Sequence, residues 1–159
     1  MKKLIIRTLI LLIILLVIVF AYFYRIWAKE KKIEEQMVMK ARQEVSILDK
    51  IDEISYFTGE KQYYVIMGKD HLGIQLIIWL NENDKINYQF LTNWVKKEEI
   101  EKKALSLQPN SSIKRITPGI MQVDRLIYEV LFKDDQGRFG YQYFDLKTGE
   151  LIKMYLLGK

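Results

Sequence analysis

The residues that could support chemistry are few, and His71 is the one most suited to it. It is the only histidine, and it follows Asp70 in a predicted loop. A zinc site or a general-base mechanism would need further ligands or a nucleophile nearby, and the chain has no cysteine and no second histidine. We therefore interpret His71 as a solvated loop residue.

Two turns that contain aspartate superficially suggest ligand-binding loops. Asp134 and Asp135 precede Gln136-Gly137, but the segment lacks the Asp-x-Asp-x-Asp-Gly spacing and the closing glutamate of a calcium loop. Asp145 and Thr148 precede Gly149 in what reads as a hairpin connection. There, Asp145 is expected to accept backbone N–H groups, and Gly149 to take a positive φ. A turn explains both segments without a ligand.

Catalytic constellations are equally hard to find. The sequence contains no Gly-x-Ser-x-Gly, phosphate-loop or dinucleotide motif. Three glutamates on a predicted helix are expected to face solvent, which does not suggest a glycosidase pair: Glu98, Glu99 and Glu101. Four serines lack an evident base: Ser55, Ser106, Ser111 and Ser112. The sequence therefore predicts a protein that is not an enzyme, with no catalytic residues and no metal or cofactor site.

Alternating aromatic residues form a different kind of candidate. Phe139, Tyr141 and Tyr143 alternate along one predicted strand, so their side chains share one face of a sheet. We expect this face to pack beneath the helix of its own unit. The alternative is a partner-binding groove or a surface on which glycans stack, since exposed aromatic residues often anchor interfaces.

An apolar segment at the N-terminus determines on which side of the membrane all these residues are expected to lie. Uncharged residues run from Thr8 to Tyr24, and with apolar residues 4–6 the stretch is about 31 Å long as a helix. Basic residues at positions 2, 3 and 7 predict a cytoplasmic N-terminus and an extracellular C-terminal part. A cleaved signal ending at Ala21 is the alternative, but the run is long for a signal. We expect residues 1–27 to be a cytoplasmic tip and a single-pass cell-membrane anchor.

The charge of the chain follows from this topology. The net charge is +5, but four of the 25 basic residues flank the span, whereas all 20 acidic residues follow it. Residues 28–159 are therefore almost neutral, which excludes the overall basic bias of a nucleic-acid-binding domain. No small-molecule substrate is suggested either.

An internal repeat with an offset of 64 residues predicts two units of one fold. The offset superimposes Tyr64 on Tyr128 and Gly73 on Gly137, together with several neighbouring pairs. Each unit has a helical apolar stripe, from Ala28 to about Leu48 and from Trp94 to Leu107. Strand patterns follow each helix at 63–67 and 74–80, and at 126–132, 139–146 and 150–156. We predict an α+β protein with units at 28–91 and 92–159.

The second unit resembles the PepSY repeat of extracytoplasmic bacterial proteins and peptidase propeptides. The residues that carry the resemblance are Glu99-Ile100 and Ala104 on the helix, Tyr128-Glu129-Val130 on a strand, Gly137, Tyr141, and the stretch from Tyr143 to Ile152. The resemblance implies that each unit is cystatin-like, with a helix against an antiparallel sheet.

The whole chain resembles the TseB-like cell-wall elongation regulators (the YpmB group), which have one N-terminal anchor and two PepSY-like units. Further points of resemblance are Gly59-Glu60-Lys61, the loop from Gly68 to Gly73, and Trp79. The first unit departs from the repeat at 81–84, where the Asp-x-x-Thr-Gly turn is absent. The resemblance implies an accessory protein that binds a class B penicillin-binding transpeptidase during elongation. Inhibition of an extracellular peptidase is the alternative, while the partner-binding residues stay unknown.

Overall fold

The computed structural model describes residues 2–59, 61–81, 86–121 and 125–158. It divides into a unit of residues 1–39 and a compact unit of residues 40–159. The first helix, α1, runs without interruption from Lys2 to Glu44. In the first unit its apolar side chains between Ile5 and Trp27 are exposed, and it is the one described helix long and apolar enough to cross a membrane. A helix that could form the predicted span is thus present.

The second unit contains the end of α1, one further helix and eight strands. The strands before the second helix are β1 (Leu48–Thr58), β2 (Gln62–Asp70), β3 (Gln75–Leu80) and β4 (Asn87–Phe90). The helix α2 (Lys97–Leu107) precedes β5 (Ser112–Met121), β6 (Arg125–Lys133), β7 (Phe139–Asp145) and β8 (Leu151–Leu156). Each group of four strands forms an antiparallel meander in chain order. The predicted α+β class, with two sheets, is confirmed.

The 64-residue offset appears directly in the pairing of the strands. Tyr64 on β2 lies opposite Leu80 on β3, and Tyr128 on β6 lies opposite Phe144 on β7. At the other end of the hairpins, Lys69 lies opposite Gln75 and Lys133 lies opposite Phe139. These partners are again 64 residues apart. The central hairpins of the two sheets therefore have the same register, as expected of duplicated units.

Three turns use the same local chemistry to close their hairpins. Asp70 and Asp134 each accept two backbone N–H groups through Oδ1, and Asp145 accepts those of Lys147 and Thr148. The glycine that follows each of them has a positive φ, between 65° and 81°. Such a φ strains any residue with a Cβ, so glycine is required there. The turn interpretation of Asp134 and Asp145 is confirmed.

The strands β1, β4 and β5 were not predicted, and the helix bounds differ from the expected ones. The first helix ends at Glu44, and Leu48 begins β1 instead of ending the helix. Trp94 precedes α2, which begins only at Lys97. In the second sheet, β5 contains Pro118; because β5 is an edge strand, a proline can be accommodated there.

One hydrophobic core in the second unit joins α2 to both sheets. Ile100 and Ala104 of α2 are fully buried together with Val65 and Ile77 of the first sheet and Val130 of the second. The sheets also meet directly, since the Ser55 hydroxyl of β1 donates to the carbonyl oxygen of Pro118 at 3.3 Å. Burial on both sides explains why β2, β3 and β6 read as nearly continuous apolar runs.

Candidate functional site

The alternating tyrosines lie on the side of the second sheet opposite α2, which corrects the expectation that they pack beneath the helix. Gln142 lies between Tyr141 and Tyr143 in β7, and its Nε2 donates to the carbonyl oxygen of Ala104 in α2 at 3.4 Å. Because successive side chains of a strand alternate between faces, Tyr141 and Tyr143 lie on the other face.

Strand pairing adds further residues to this face, which we call the tyrosine face. Tyr143 lies opposite Glu129 on β6, and Tyr141 lies opposite Tyr155 on β8. The tyrosine face is defined by Tyr141, Tyr143, Tyr155, Glu129, Arg115 and Lys153. It therefore combines three aromatic rings with one acidic and two basic side chains.

A chain of hydrogen bonds fixes the centre of the tyrosine face. The Tyr143 hydroxyl donates to Oε2 of Glu129 at 3.0 Å, and it lies 3.0 Å from the Tyr155 hydroxyl. Because Tyr143 has one hydroxyl proton, which Glu129 accepts, Tyr155 must donate to Tyr143. Arg115 contributes an N–H to the other oxygen of Glu129 at 3.3 Å. Each oxygen of the buried Glu129 carboxylate therefore accepts a hydrogen bond, which offsets the cost of removing a charged group from water.

The aromatic rings contact one another and a cation. The Tyr141 and Tyr155 ring centroids are 5.5 Å apart, and those of Tyr143 and Tyr155 are 5.9 Å apart. The Lys153 ammonium lies 4.6 Å from the centroid of the Tyr143 ring, within the range of a cation–π interaction. These contacts hold the rings in place before any partner arrives.

Ionisation of the Tyr143 phenol does not contribute to the chemistry of this face. Burial raises the pKa of Tyr143 far above its ordinary value, and the hydrogen bond with Tyr155 and the neighbouring Glu129 carboxylate raise it further. The phenol is therefore a neutral donor at any physiological pH. No base or nucleophile is activated here, and the arrangement is suited to binding.

A shallow groove of about 650 Å³ adjoins the tyrosine face. Its walls include Tyr141 itself, the aliphatic residues Leu131 and Leu157, the exposed Phe139, and Arg138. The Arg138 guanidinium is held at 2.7 Å by Asp134, the aspartate of the neighbouring turn. Exposed aromatic and apolar side chains with a fixed arginine are the composition of a protein interface.

The other sequence candidates lie elsewhere and do not converge. His71 is exposed in the turn after β2, where its Nδ1 is 3.5 Å from Asp49. Glu98, Glu99 and Glu101 are exposed on α2, as expected. The Thr148 hydroxyl accepts the N–H of Glu150 within its own turn.

A further pair, Ser111 and Lys114, has the Ser-x-x-Lys spacing of some acyl-transfer enzymes. The Ser111 hydroxyl donates to the carbonyl oxygen of Gln108 at 2.7 Å and closes the turn after α2. Lys114 follows on the extended β5, where three residues span about 10 Å. The Ser111 hydroxyl and the Lys114 ammonium are therefore too far apart to act as a nucleophile and its base, as they could if they lay one turn apart on a helix.

Sequence reasoning missed Glu129, Arg115 and Tyr155 as parts of the candidate site. A signal existed for Glu129, because an acidic residue between Tyr128 and Val130 interrupts an otherwise apolar strand. Arg115 gave no signal, since β5 was not predicted. The register of β8 after its turn could have placed Tyr155 beside Tyr141.

Comparison with known proteins agrees with the resemblance found in the sequence. Residues 38–81 match the cell wall elongation regulator TseB-like domain. Over 158 residues the chain is 27% identical to the probable cell wall elongation regulator TseB of Bacillus subtilis (strain 168), with 96% of each protein covered. The fold is similar to that of the YpmB protein from Bacillus subtilis, with a TM-score of 0.66 and 24% identity over 77% of this chain and 96% of that one. The predicted resemblance to the TseB-like cell-wall elongation regulators is confirmed.

Proposed function

Because the chain resembles a cell-wall elongation regulator along nearly its whole length, we propose that it is a membrane-anchored accessory that binds and regulates a peptidoglycan-synthesis enzyme. Residues 1–27 anchor it, with the N-terminus in the cytoplasm. Residues 28–91 and 92–159 form two repeated units on the outer side of the membrane. The proposed role is binding and positioning, without catalysis.

The proposed partner is a class B penicillin-binding transpeptidase. This assignment depends on the resemblance to the TseB-like regulators, and a physical argument supports its plausibility. Two proteins anchored in one membrane meet at a high effective concentration, so a modest interface is sufficient. The nearly neutral region after the anchor favours docking to a protein over attraction to polyanions.

The observation that best supports a binding role is the tyrosine face with its adjoining groove. Its rings are already ordered by the contacts among Tyr141, Tyr143 and Tyr155, so a partner would not have to immobilise them. Tyr155 and Phe139 remain 40% and 43% exposed, which leaves apolar area for a partner to bury. We assign partner binding to this face.

A complementation experiment tests the requirement for the part beyond the anchor. Deletion of the gene is expected to alter cell shape or wall growth, and the full chain should restore it. A truncated chain limited to residues 1–27 should not. Full restoration by the anchor alone would contradict the proposal.

Alanine substitutions test the absence of a catalytic role. His71→Ala, Asp145→Ala and Thr148→Ala should each restore growth wherever the variant accumulates to the wild-type level. Loss of function from a stably folded His71→Ala protein would count against a purely binding role.

A further inference from the structure

A second site lies away from the tyrosine face, where the N-terminal end of α2 meets β1, β2 and β6. It is a cavity of about 240 Å³ within the second unit. Trp94 and Met67 supply apolar wall. The charged groups that line the cavity are Asp52, Glu53, Lys96, Lys97 and Glu98. Tyr128 of β6 also lines the cavity. Its volume suits a ligand of the size of one amino acid.

The unusual feature of this cavity is the Tyr128 hydroxyl. The side chain is 0% exposed, and its oxygen has no hydrogen-bond partner among the described residues. Burial raises the pKa of Tyr128, and the carboxylates of Glu53 and Glu98 raise it further. The hydroxyl is therefore neutral, close to two carboxylates, and unsatisfied. A buried polar group of this kind is normally paired, and a ligand in the cavity would pair it.

The charged groups of the wall divide into satisfied and unsatisfied ones. Lys97 places its ammonium 2.6 Å from both carboxylate oxygens of Glu53, so these two charges neutralise each other. The Asp52 carboxylate is paired with Lys50 at 3.5 Å and accepts the Gln75 amide N–H at 3.2 Å. Glu98 and Lys96 form no ion pair with the residues the structure describes, and both are exposed at the cavity. One carboxylate and one ammonium group are thus free, and they flank a single cavity.

The N-terminus of α2 adds donors beside these groups. Its N-cap residue, Lys96, makes no side-chain hydrogen bond to the first turn. The first N–H groups of a helix have no acceptor within the helix and favour an anion, particularly a carboxylate. In α2 the N–H of Glu99 already donates to the carbonyl oxygen of Lys96 at 3.0 Å, so the available donors are the N–H groups that precede it. The cavity therefore offers donors for an anion and a carboxylate for a cation a few residues apart.

We propose that this cavity is a binding site for the zwitterion of a single amino acid with an apolar side chain. The α-carboxylate is bound by the first N–H groups of α2, by Lys96 and by the Tyr128 hydroxyl. The α-ammonium group is bound by Glu98. The apolar side chain lies against Trp94 and Met67. This site is independent of the proposed partner, because no residue of the tyrosine face contributes to it.

Three ligands that differ in one group at a time test the recognition of both charges. Leucine (each enantiomer separately), 3-methylbutylamine and 4-methylpentanoate are titrated calorimetrically into the full chain in nanodiscs. The amine lacks the carboxylate of leucine, and the acid lacks its ammonium group. We expect at least one enantiomer of leucine to bind, and each analogue to bind at least 10-fold more weakly. No heat of binding with either enantiomer, or equal binding of either analogue, would overturn the proposal.

One single variant and one matched pair of variants separate binding from folding. Tyr128→Phe removes a hydroxyl that has no partner among the described residues, so the variant should be at least as stable as the parent, while its affinity for leucine falls about 10-fold. Glu98→Gln should weaken leucine binding by a similar factor. Glu99→Gln is the matched control, because Glu99 is its exposed neighbour on α2 and does not line the cavity. Unchanged affinity in Tyr128→Phe, or equal losses in both glutamine variants, would contradict the site.

Discussion

The Tyr143 hydroxyl donates a 3.0 Å hydrogen bond to Glu129, the residue directly opposite it on the neighbouring strand. This pair keeps an acidic side chain buried at the centre of a sheet face that otherwise presents aromatic rings. Arg115 and Tyr155 complete the arrangement from the two flanking strands. Four strands thus contribute to one fixed surface, which is the basis of the binding role proposed for it.

The contribution of this hydrogen bond to stability can be measured with a matched pair of variants. Tyr143→Phe leaves Glu129 with one fewer donor and removes the acceptor of the Tyr155 hydroxyl. We expect the free energy of unfolding to fall by about 1–3 kcal/mol. Tyr141→Phe is the control, because its hydroxyl makes no hydrogen bond with any described residue, and the change should be within about 0.5 kcal/mol. Equal losses in urea unfolding of the two variants would show that the network adds nothing.

Asp145 should make the stability of the protein depend on pH in the acid range. Partial burial alone would raise the pKa of this carboxyl, but the N–H groups of Thr148 and Lys147 and the Arg125 side chain outweigh it and lower the pKa. The unfolded chain, with an aspartate pKa of about 3.9, then binds the proton more readily than the folded chain. The stabilisation is therefore complete above pH about 4 and is lost as the pH falls toward the lowered folded value.

Asp145→Asn tests this linkage. At pH 7 the variant should be less stable than the parent by about 1 kcal/mol, because it loses the charge of the acceptor and keeps its oxygen. The difference should shrink as the pH is lowered below about 4. Asp135→Asn is the control, since the exposed Asp135 accepts no such hydrogen bonds from described residues. A difference that stays constant from pH 7 to pH 3 would contradict the proposed role of the charge.

The orientation in the membrane gives a third prediction. The chain contains no cysteine, so a single introduced cysteine reports its own location. Leu72 is 84% exposed in the turn between β2 and β3. Leu72→Cys should react with a membrane-impermeant thiol reagent in intact cells, whereas Lys3→Cys should react only after lysis. The reverse pattern would overturn the topology.

The central hairpins and β8 were predictable, whereas β1, β4 and β5 were not. β2, β3, β6 and β7 are apolar runs bounded by Asp and Gly turns, and these signals are local in the sequence. β1 and β5 are edge strands with mixed polarity, and β5 contains a proline, a residue that is rare within strands. β1 and β5 take their conformation from pairing with a neighbour, and no short sequence window contains that information, whereas the edge strand β8 follows a recognisable turn.

The candidate site was predicted only in part, for a related reason. The alternation of Tyr141 and Tyr143 placed them on one face, but the choice of face for α2 depended on the residue between them. Gln142 reaches the helix backbone, and this contact is not visible in a pattern of apolar and polar residues. Glu129 and Tyr155 belong to the site because strand pairing places them opposite Tyr143 and Tyr141. The register of strand pairing cannot be read from a short segment of sequence.

The measurement that tests the central claim most directly is photocrosslinking in growing cells, followed by identification of the captured protein. A photoreactive phenylalanine analogue replaces Tyr155 on the tyrosine face, which is 40% exposed. The matched control replaces Tyr88 on β4 of the other sheet, which is 49% exposed. We predict that a class B penicillin-binding transpeptidase is captured from position 155 and not from position 88. Capture of a peptidase instead, equal capture from both positions, or no transpeptidase at position 155 would contradict the account.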